Sequence, residues 1–441
     1  MAARNVGWAT RAILVATVAL GLGLRLAYAI EGRDYQPPDA VVYAQIAENL
    51  YEEGDFSARG PDTPRIHQPT SAYSPGLPLF ITGVYGTSGG EHQQLARILL
   101  ALIGAGAVPL TYLLGRRLAG PLAGLVGAAA VAVYPALLEY HGLLLTEPLA
   151  ATLLAGGLLA FLRAEEDGGR RWSVVAGAAL GALSLVRAEY LLVALALPAL
   201  ALARRWRASG LRAALGPVLV MLAAAVLVLA PWAIRNALAL ERFVPVSTGG
   251  GKALYIGTYV DADGDGAKLR ALLLERQPRL RAALARSGPP GDPDRYVLEL
   301  LLAREAQRAH PDLETDSALA RLGRENLGDA ISEQPGDLLA MMAGKAYDTW
   351  TEPARGVMDL APWRALQLGL LIAALGGLAL LARARRHEAL VLGGVLLYVT
   401  AVAALLISSP RRALVPLPLV AALAGVGVAW LGARIRERLG V

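Results

Sequence analysis

The chain contains no cysteine, so it can form neither a disulfide nor a thiolate metal site. It also lacks a Walker phosphate loop, a dinucleotide fingerprint, a zinc-binding spacing and a nucleophile elbow. No internal repeat of the kind that marks many secondary transporters is visible. A cleavable signal peptide is not expected. The first apolar run ends in Arg25, Tyr28 and Glu31 rather than a small-residue cleavage site, and reads as a retained helix. The net charge of +6 does not argue for nucleic-acid binding, because most of it sits at the ends of apolar runs.

Charge is missing from long stretches as well. The chain has 441 residues, is 55% hydrophobic and has a mean hydropathy of +0.45. Apolar runs near the ~20 residues that cross a hydrocarbon core recur along it. They lie at 10–30, 94–114, 118–138, 143–162, 172–187, 189–203, 213–234, 363–382, 388–408 and 412–432. Barrel strands would alternate and these runs do not, so they read as helices. The expected fold is all-α and polytopic, with about ten transmembrane helices. The runs at 172–187 and 189–203 are short and also fit one hairpin that does not fully cross.

Arginine placement sets the orientation. With the N-terminus inside, the inner segments hold Arg116, Arg117, Arg163, Arg170, Arg171, the cluster Arg204 to Arg212, and the cluster Arg383 to Arg386. The short outer turns hold only Arg187, Arg411 and Arg412. That asymmetry selects a cytoplasmic N-terminus. Two long segments, 31–92 and 235–362, then face outward from the cell membrane. The first is acidic, and its stretches 40–53 and 77–85 suit interfacial helices. The second shows amphipathic helical patterns at 267–285, 295–309, 313–330 and 336–350, separated by Pro and Gly clusters. The expected organisation is a transmembrane module over 1–234, a small helical extracytoplasmic domain over 235–362, and C-terminal transmembrane helices over 363–441.

The residues able to carry chemistry collect on the outer side. Asp39 follows Pro37 and Pro38 at a helix start; it is either an N-cap or a general base. Glu147, in Thr146-Glu147-Pro148, is either an acid favoured by the helix dipole or a functional carboxylate at the hydrocarbon boundary. Arg187 and Glu189 interrupt an apolar stretch, as a local ion pair or as a receiver of an anion such as phosphate. Arg411 and Arg412 run against the inside-positive trend; an interfacial anion or a lipid headgroup explains them. The run Asp261-Ala262-Asp263-Gly264-Asp265-Gly266 matches half a calcium loop, but Leu272 stands where the bidentate Glu belongs, and an acidic turn is the better reading. His67 and His92 are isolated and read as surface residues.

The order of these features carries a resemblance. An acid after the first helix is followed by Tyr73-Ser74-Pro75-Gly76-Leu77-Pro78-Leu79-Phe80, then by the Thr-Glu-Pro-Leu and Leu-Val-Arg-Ala-Glu-Tyr turns. Pro231-Trp232-Ala233-Ile234-Arg235-Asn236 leads into Val244-Pro245-Val246-Ser247-Thr248, and Arg411-Arg412-Ala413-Leu414-Val415-Pro416 comes last. The sequence resembles the GT-C glycosyltransferases that use polyprenyl-phosphate sugars, on the branch of protein O-mannosyltransferases and lipid A aminoarabinose transferases. That resemblance implies a sugar transferred at the outer face to a lipid, glycan or protein acceptor. It implies Asp39 as catalytic base, with Ala40 where many members place a second acid. On this reading Glu147, Arg187, Glu189, Lys252, Arg235, Arg411, Arg412, Tyr43 and Tyr73 are the substrate-binding candidates, and Arg65 or Lys252 stands for the Lys or Arg that the family often places near the first outer loop on the donor phosphate. Asp39 and Glu147 are the residues that would share a divalent cation if they converge. The alternative from another class is a transporter or flippase of a lipid-linked substrate, without covalent chemistry.

Overall fold

A computed structural model describes residues 7–32, 37–58, 69–167, 169–287, 293–352, 354 and 356–439. Arg65 and His67 lie outside them. The described residues are helical and form no strand. The first half comprises α1 (Trp8–Glu31), α2 (Pro38–Glu52), α3 (Gly76–Ser88), α4 (Gln93–Ala105), α5 (Ala107–Ala119), α6 (Pro121–Val133), α7 (Pro135–Glu139), α8 (Glu147–Asp167), α9 (Arg170–Val186), α10 (Leu191–Ser209) and α11 (Leu211–Leu240). There follow α12 (Gly250–Gly257), α13 (Gly266–Glu275), α14 (Pro278–Ser287), α15 (Pro293–Ala309), α16 (Thr315–Glu333) and α17 (Pro335–Thr351). Three long helices close the chain: α18 (Ala361–Ala384), α19 (Arg386–Leu405) and α20 (Leu417–Leu439).

Each expected apolar run is largely helical, but among the described residues fewer than the expected ten meet the length and apolarity of a span. Among the described residues seven spans are long and apolar enough to cross a membrane: α1, the continuous pair α4–α5, α8, α11, α18, α19 and α20. The bent pair α6–α7 makes an eighth. The two short runs are α9, with 17 residues, and α10, whose last turns carry Arg204, Arg205 and Arg207. Large apolar side chains such as Val226, Leu227 and Leu238 on α11 and Ile372 and Leu375 on α18 stand exposed. In water such surfaces would aggregate; in a bilayer they face lipid. The chain is a multi-pass membrane protein.

Lipid supplies no hydrophobic drive between helices, so close approach of small residues does that work. A Cβ at Gly177 of α9 would collide with the Met221 carbonyl of α11, and one at Gly377 of α18 with the Leu423 carbonyl of α20. These crossings bring the long helices into backbone contact.

The α6–α7 span bends by 52° at Tyr134. Pro135 has no N–H, so the carbonyl of Val131, four residues back, loses its helical partner. The fully buried Arg25 of α1 replaces it: Nη2 donates to Val131 O at 2.8 Å, and Nη1 to Ala132 O at 3.2 Å and Gly21 O at 2.9 Å. The bend carries the chain through the turn Tyr140–Gly142 to the start of α8.

The amphipathic patterns of the second long segment appear as α13 to α17. Of these, α13 to α16 pack with α12 around Tyr255, Leu269, Leu273, Leu301 and Leu319, and α17 meets α16 through Leu338, Met341 and Ala330. Within this layer the acidic run forms a turn: Asp265 caps α13 by accepting from Lys268 N at 2.8 Å, and Asp263 pairs with Lys268 Nζ at 2.6 Å.

Candidate active site

Asp39 sits in the first turn of α2, but Pro37 occupies the N-cap position and no side chain caps that end. The carboxylate is turned instead toward the Pro410–Leu414 turn, where its Oδ2 accepts from Arg411 Nη1 at 2.9 Å. Arg411 Nε donates to Glu147 Oε1, also at 2.9 Å. Glu147 is the first residue of α8 and is fully buried, so its charge depends on these partners and on the helix N-terminus. Arg187 Nη1 approaches the same Glu147 oxygen at 3.4 Å and donates to Thr146 Oγ1 at 3.3 Å. Its Nε donates to Glu189 Oε1 at 3.1 Å, and Arg412 Nη1 lies 3.5 Å from Glu189 Oε2.

The result is a ladder of alternating sign: Asp39, Arg411, Glu147, Arg187, Glu189, Arg412. Its rungs come from α2, the α8 start, the turn after α9 and the turn before α20. The extended backbone of Arg187, at φ −143° and ψ 102°, ends α9 and aims the side chain back across the α8 terminus. Tyr398 of α19 holds the turn by donating to the Glu189 carbonyl.

Electrostatics separate the three guanidiniums. The Glu147 carboxylate, with Asp39 behind it, holds Arg411 above its ordinary range against the effect of burial. Burial works against charged Arg187 too, but Glu189 and Glu147 outweigh it and the net shift is upward. Burial opposes the charge of Glu189, and Arg187 and Arg412 reverse that and hold it low. Arg412 differs: burial dominates, Glu189 offsets it only in part, and its pKa falls. Its buried Nη1 has no hydrogen-bond acceptor among the described residues. Arg412 is therefore the least compensated cation of the ladder.

Beside it lies Lys345 of α17, which sequence reasoning missed. Lys345 is buried and donates to Gly257 O at 2.8 Å. Burial, reinforced by the Arg412 charge, lowers its pKa to about 8. It is one of three lysines in an arginine-rich chain, and that scarcity on an amphipathic helix was the available signal. Thr349 and Ser408 are in hydrogen-bond contact at 3.2 Å, and Ser408 Oγ donates to Lys345 O at 3.3 Å. These contacts tie α17 to the segment that carries both arginines.

Tyr43 of α2 lies next to the ladder; burial foremost, then Asp39, keep its hydroxyl protonated well above the usual range. Its ring meets Tyr73 edge-on at 6.1 Å. Tyr73 in turn lines a cleft of about 510 Å³ with Ser71, Thr248, Arg242, Lys252 and Asp316. Lys252 stands in this cleft, ion-paired with Glu299, and does not join the ladder. Arg235 does not join it either. It donates to Thr70 O at 3.1 Å and Phe56 O at 3.2 Å and lies over the Phe56 and Trp232 rings, so it fastens the first long loop to α11.

The Pro-Trp to Ser-Thr run frames the site. Trp232 Nε1 donates to Val246 O at 2.7 Å, and Asn236 Nδ2 to Val244 O at 3.0 Å. The seated loop then bonds to its neighbour through Thr248 N to Ser71 O at 2.7 Å and Ser74 to Ser247 at 3.3 Å. Ser74 also accepts from Ala188 N at 3.3 Å, next to Arg187.

Asp39 and Glu147 do converge, but on the Arg411 guanidinium between them. Among the described residues no group of three His, Asp or Glu side chains is placed to hold a metal. Two carboxylates already bridged by the Arg411 guanidinium do not make a donor set for a divalent ion.

Residues 69–234 match the family model described as dolichyl-phosphate-mannose-protein mannosyltransferase. The oligosaccharyltransferase AglB of Archaeoglobus fulgidus, solved with an inhibitory peptide and a dolichol-phosphate, matches with a TM-score of 0.56 at 14% identity. The match covers 98% of this chain and 51% of that one. The apo form of the Archaeoglobus fulgidus oligosaccharyltransferase gives a TM-score of 0.57 at 14% identity over the same shares, 98% and 51%. The chain thus spans about half the length of that oligosaccharyltransferase. ArnT from Cupriavidus metallidurans, bound to undecaprenyl phosphate, matches with a TM-score of 0.42 at 18% identity over 95% of this chain and 77% of that one. No curated protein matches the sequence. The chain is a multi-pass membrane protein that shares the fold of the Archaeoglobus fulgidus oligosaccharyltransferase, and its residues 69–234 match the dolichyl-phosphate-mannose-protein mannosyltransferase model.

Proposed function

We propose that the protein is a membrane glycosyltransferase that moves a sugar from a polyprenyl-phosphate carrier to an acceptor hydroxyl at the outer face of the cell membrane. The observation that carries this reading is the ladder itself. Asp39, Glu147, Arg187 and Arg411 come from four separate segments and meet through contacts of 2.9 to 3.4 Å.

The reaction is a single inverting displacement. The acceptor oxygen bonds to the anomeric carbon as the bond from that carbon to the phosphate oxygen breaks. The bonding pair leaves with the phosphate, and the acceptor proton passes to Asp39. A lipid phosphate needs no acid to depart; it needs cations where charge accumulates. Arg412 and Lys345 supply them, with Arg187 beside them. Arg411 holds Asp39 and Glu147 in register. The Tyr73 and Lys252 cleft receives the acceptor and presents it past Tyr43, while α12 to α17 cover that side as an extracytoplasmic domain. A ladder at helix ends suits surface chemistry better than the alternating access of a transporter, which places its charges near the bilayer midplane.

The test is Asp39→Asn in membranes supplied with labelled polyprenyl-phosphate sugar. Transfer is expected to fall by about 10²-fold or more at unchanged expression. Wild-type transfer by Asp39→Asn would remove Asp39 as the base.

A further inference from the structure

A second polar site lies at the other end of α8. Glu147 opens that helix and Glu166 is near its close, about 30 Å away at 1.5 Å per residue. There the C-termini of α5 and α8 meet the N-terminus of α9 around a concavity of about 420 Å³. Arg116, Arg117, Arg163 and Arg171 line it, and Glu166 is the one carboxylate among its lining residues.

The charges are not balanced. Arg117 is occupied, paired with Glu166 and donating to Leu162 O at 3.2 Å. Arg116, Arg163 and Arg171 make no ion pair with a described residue. Arg163 and Arg171 instead lie over the Trp172 ring, at 4.5 and 5.1 Å. The neighbouring Glu165 shows the contrasting, satisfied arrangement. It binds Arg204 at 2.7 Å and Arg205 at 2.8 Å, with His387 at 3.5 Å.

The inside-positive rule accounts for arginines on this face. It does not account for their convergence on one hollow with an indole platform. Guanidiniums fixed by stacking and left without carboxylates present their forks to an oxyanion. The inside-positive reading puts the hollow at the inner membrane interface, where a tryptophan is at home, and Leu113 and Leu159 give it an apolar wall. A free phosphate has no use for that wall; a phospholipid does.

We propose that this pocket binds the headgroup of an anionic phospholipid of the inner leaflet, with its phosphate on Arg116 and Arg163 and its first acyl carbons against Leu113 and Leu159. The site is independent of the sugar-transfer reading, since it lies on the opposite membrane face and shares no residue with the ladder.

The experiment uses the full chain, delipidated in detergent, with phosphatidylglycerol, phosphatidylcholine and inorganic pyrophosphate as separate probes. Native mass spectrometry reads retained lipid, and a thermal-shift assay reads stabilisation. Phosphatidylglycerol is expected to be retained and to raise Tm. Arg116→Gln/Arg163→Gln is expected to weaken its retention by about tenfold or more. The two single variants are measured alongside, so a misfolded double variant does not end the test. Arg436→Gln/Arg438→Gln removes equal charge from the exposed end of α20 and is expected to change nothing. Three outcomes overturn the proposal. One is equal retention of phosphatidylcholine. Another is equal weakening by the α20 variant. The third is a full thermal shift from pyrophosphate alone, which would assign the pocket to a soluble anion.

Discussion

Arg411 and Glu147 are 264 positions apart in sequence and 2.9 Å apart in space. Breaking a buried pair from one side leaves a stranded charge and typically costs about 3–5 kcal/mol. Arg411→Met, which leaves the fully buried Glu147 with only its 3.4 Å contact to Arg187, is therefore expected to destabilise the protein by about that amount, read as a lower Tm in detergent. The double variant Glu147→Leu/Arg411→Met should recover stability relative to Arg411→Met while remaining inactive. A double variant no more stable than the single would show that the pair is not what the cost reflects.

Arg412 is predicted to act on binding rather than on folding. Glu189 keeps its 3.1 Å bond to Arg187 when Arg412 is removed, so no carboxylate is stranded. Arg412→Ala should keep a near wild-type Tm and raise the donor KM by about tenfold, the worth of one charge-assisted bond. A fall in kcat beside the rise in KM is the part of its charge felt only as the phosphate departs, and an unchanged kcat/KM would remove Arg412 from the donor site.

Lys345 gives the site a pH dependence. Its folded pKa, about 8, lies below the ordinary 10.5. Protonated below about 8, it adds a cation beside Arg412, so donor KM should rise as pH climbs through that value. The stability effect runs the other way. Between about 8 and 10.5 the unfolded chain holds more protons than the folded one, so stability grows with pH across that window. Lys345→Met should flatten both profiles.

Arg25 and Pro135 form a compensating pair. Arg25→Met leaves the Val131 and Ala132 carbonyls unpaired, and each buried orphan costs about 1–3 kcal/mol. Pro135→Ala returns an N–H able to bond Val131 O. Arg25→Met should therefore be less damaging on a Pro135→Ala background, measured as a double-mutant cycle in Tm. Additive losses would mean that Arg25 does not stand in for the missing amide.

The apolar runs were legible because hydrocarbon thickness acts on length and composition alone, and α1, α11, α18 and α20 follow from that. Their crossing of the membrane was less legible where charge intrudes, as at the end of α10. The bend at Tyr134 escaped notice because its cause is split between Pro135 and an arginine on another helix. The members of the ladder were nameable from sequence, since Asp39 follows two prolines at a helix start and the others interrupt an apolar run or oppose the topology rule. Their pairing was not, because Asp39 and Arg411 meet only through the packing of the helices between them. Lys252 and Arg235 looked equivalent to Arg187 in sequence. Only distance separates a cleft lysine and a loop fastener from a rung.

Three guanidiniums and three carboxylates in alternation carry no net charge. Such an array has a field that dies away over a few ångströms, and the neighbouring Lys345 is buried, so the site does little to steer anions in from bulk solvent. A ligand held there is recognised on contact, and its capture depends on how often it arrives. For an anion anchored in a bilayer, arrival is set by its density in two dimensions. If the proposed polyprenyl-phosphate donor is the ligand, encounter at this site is thus a matter of membrane composition, largely indifferent to ionic strength outside.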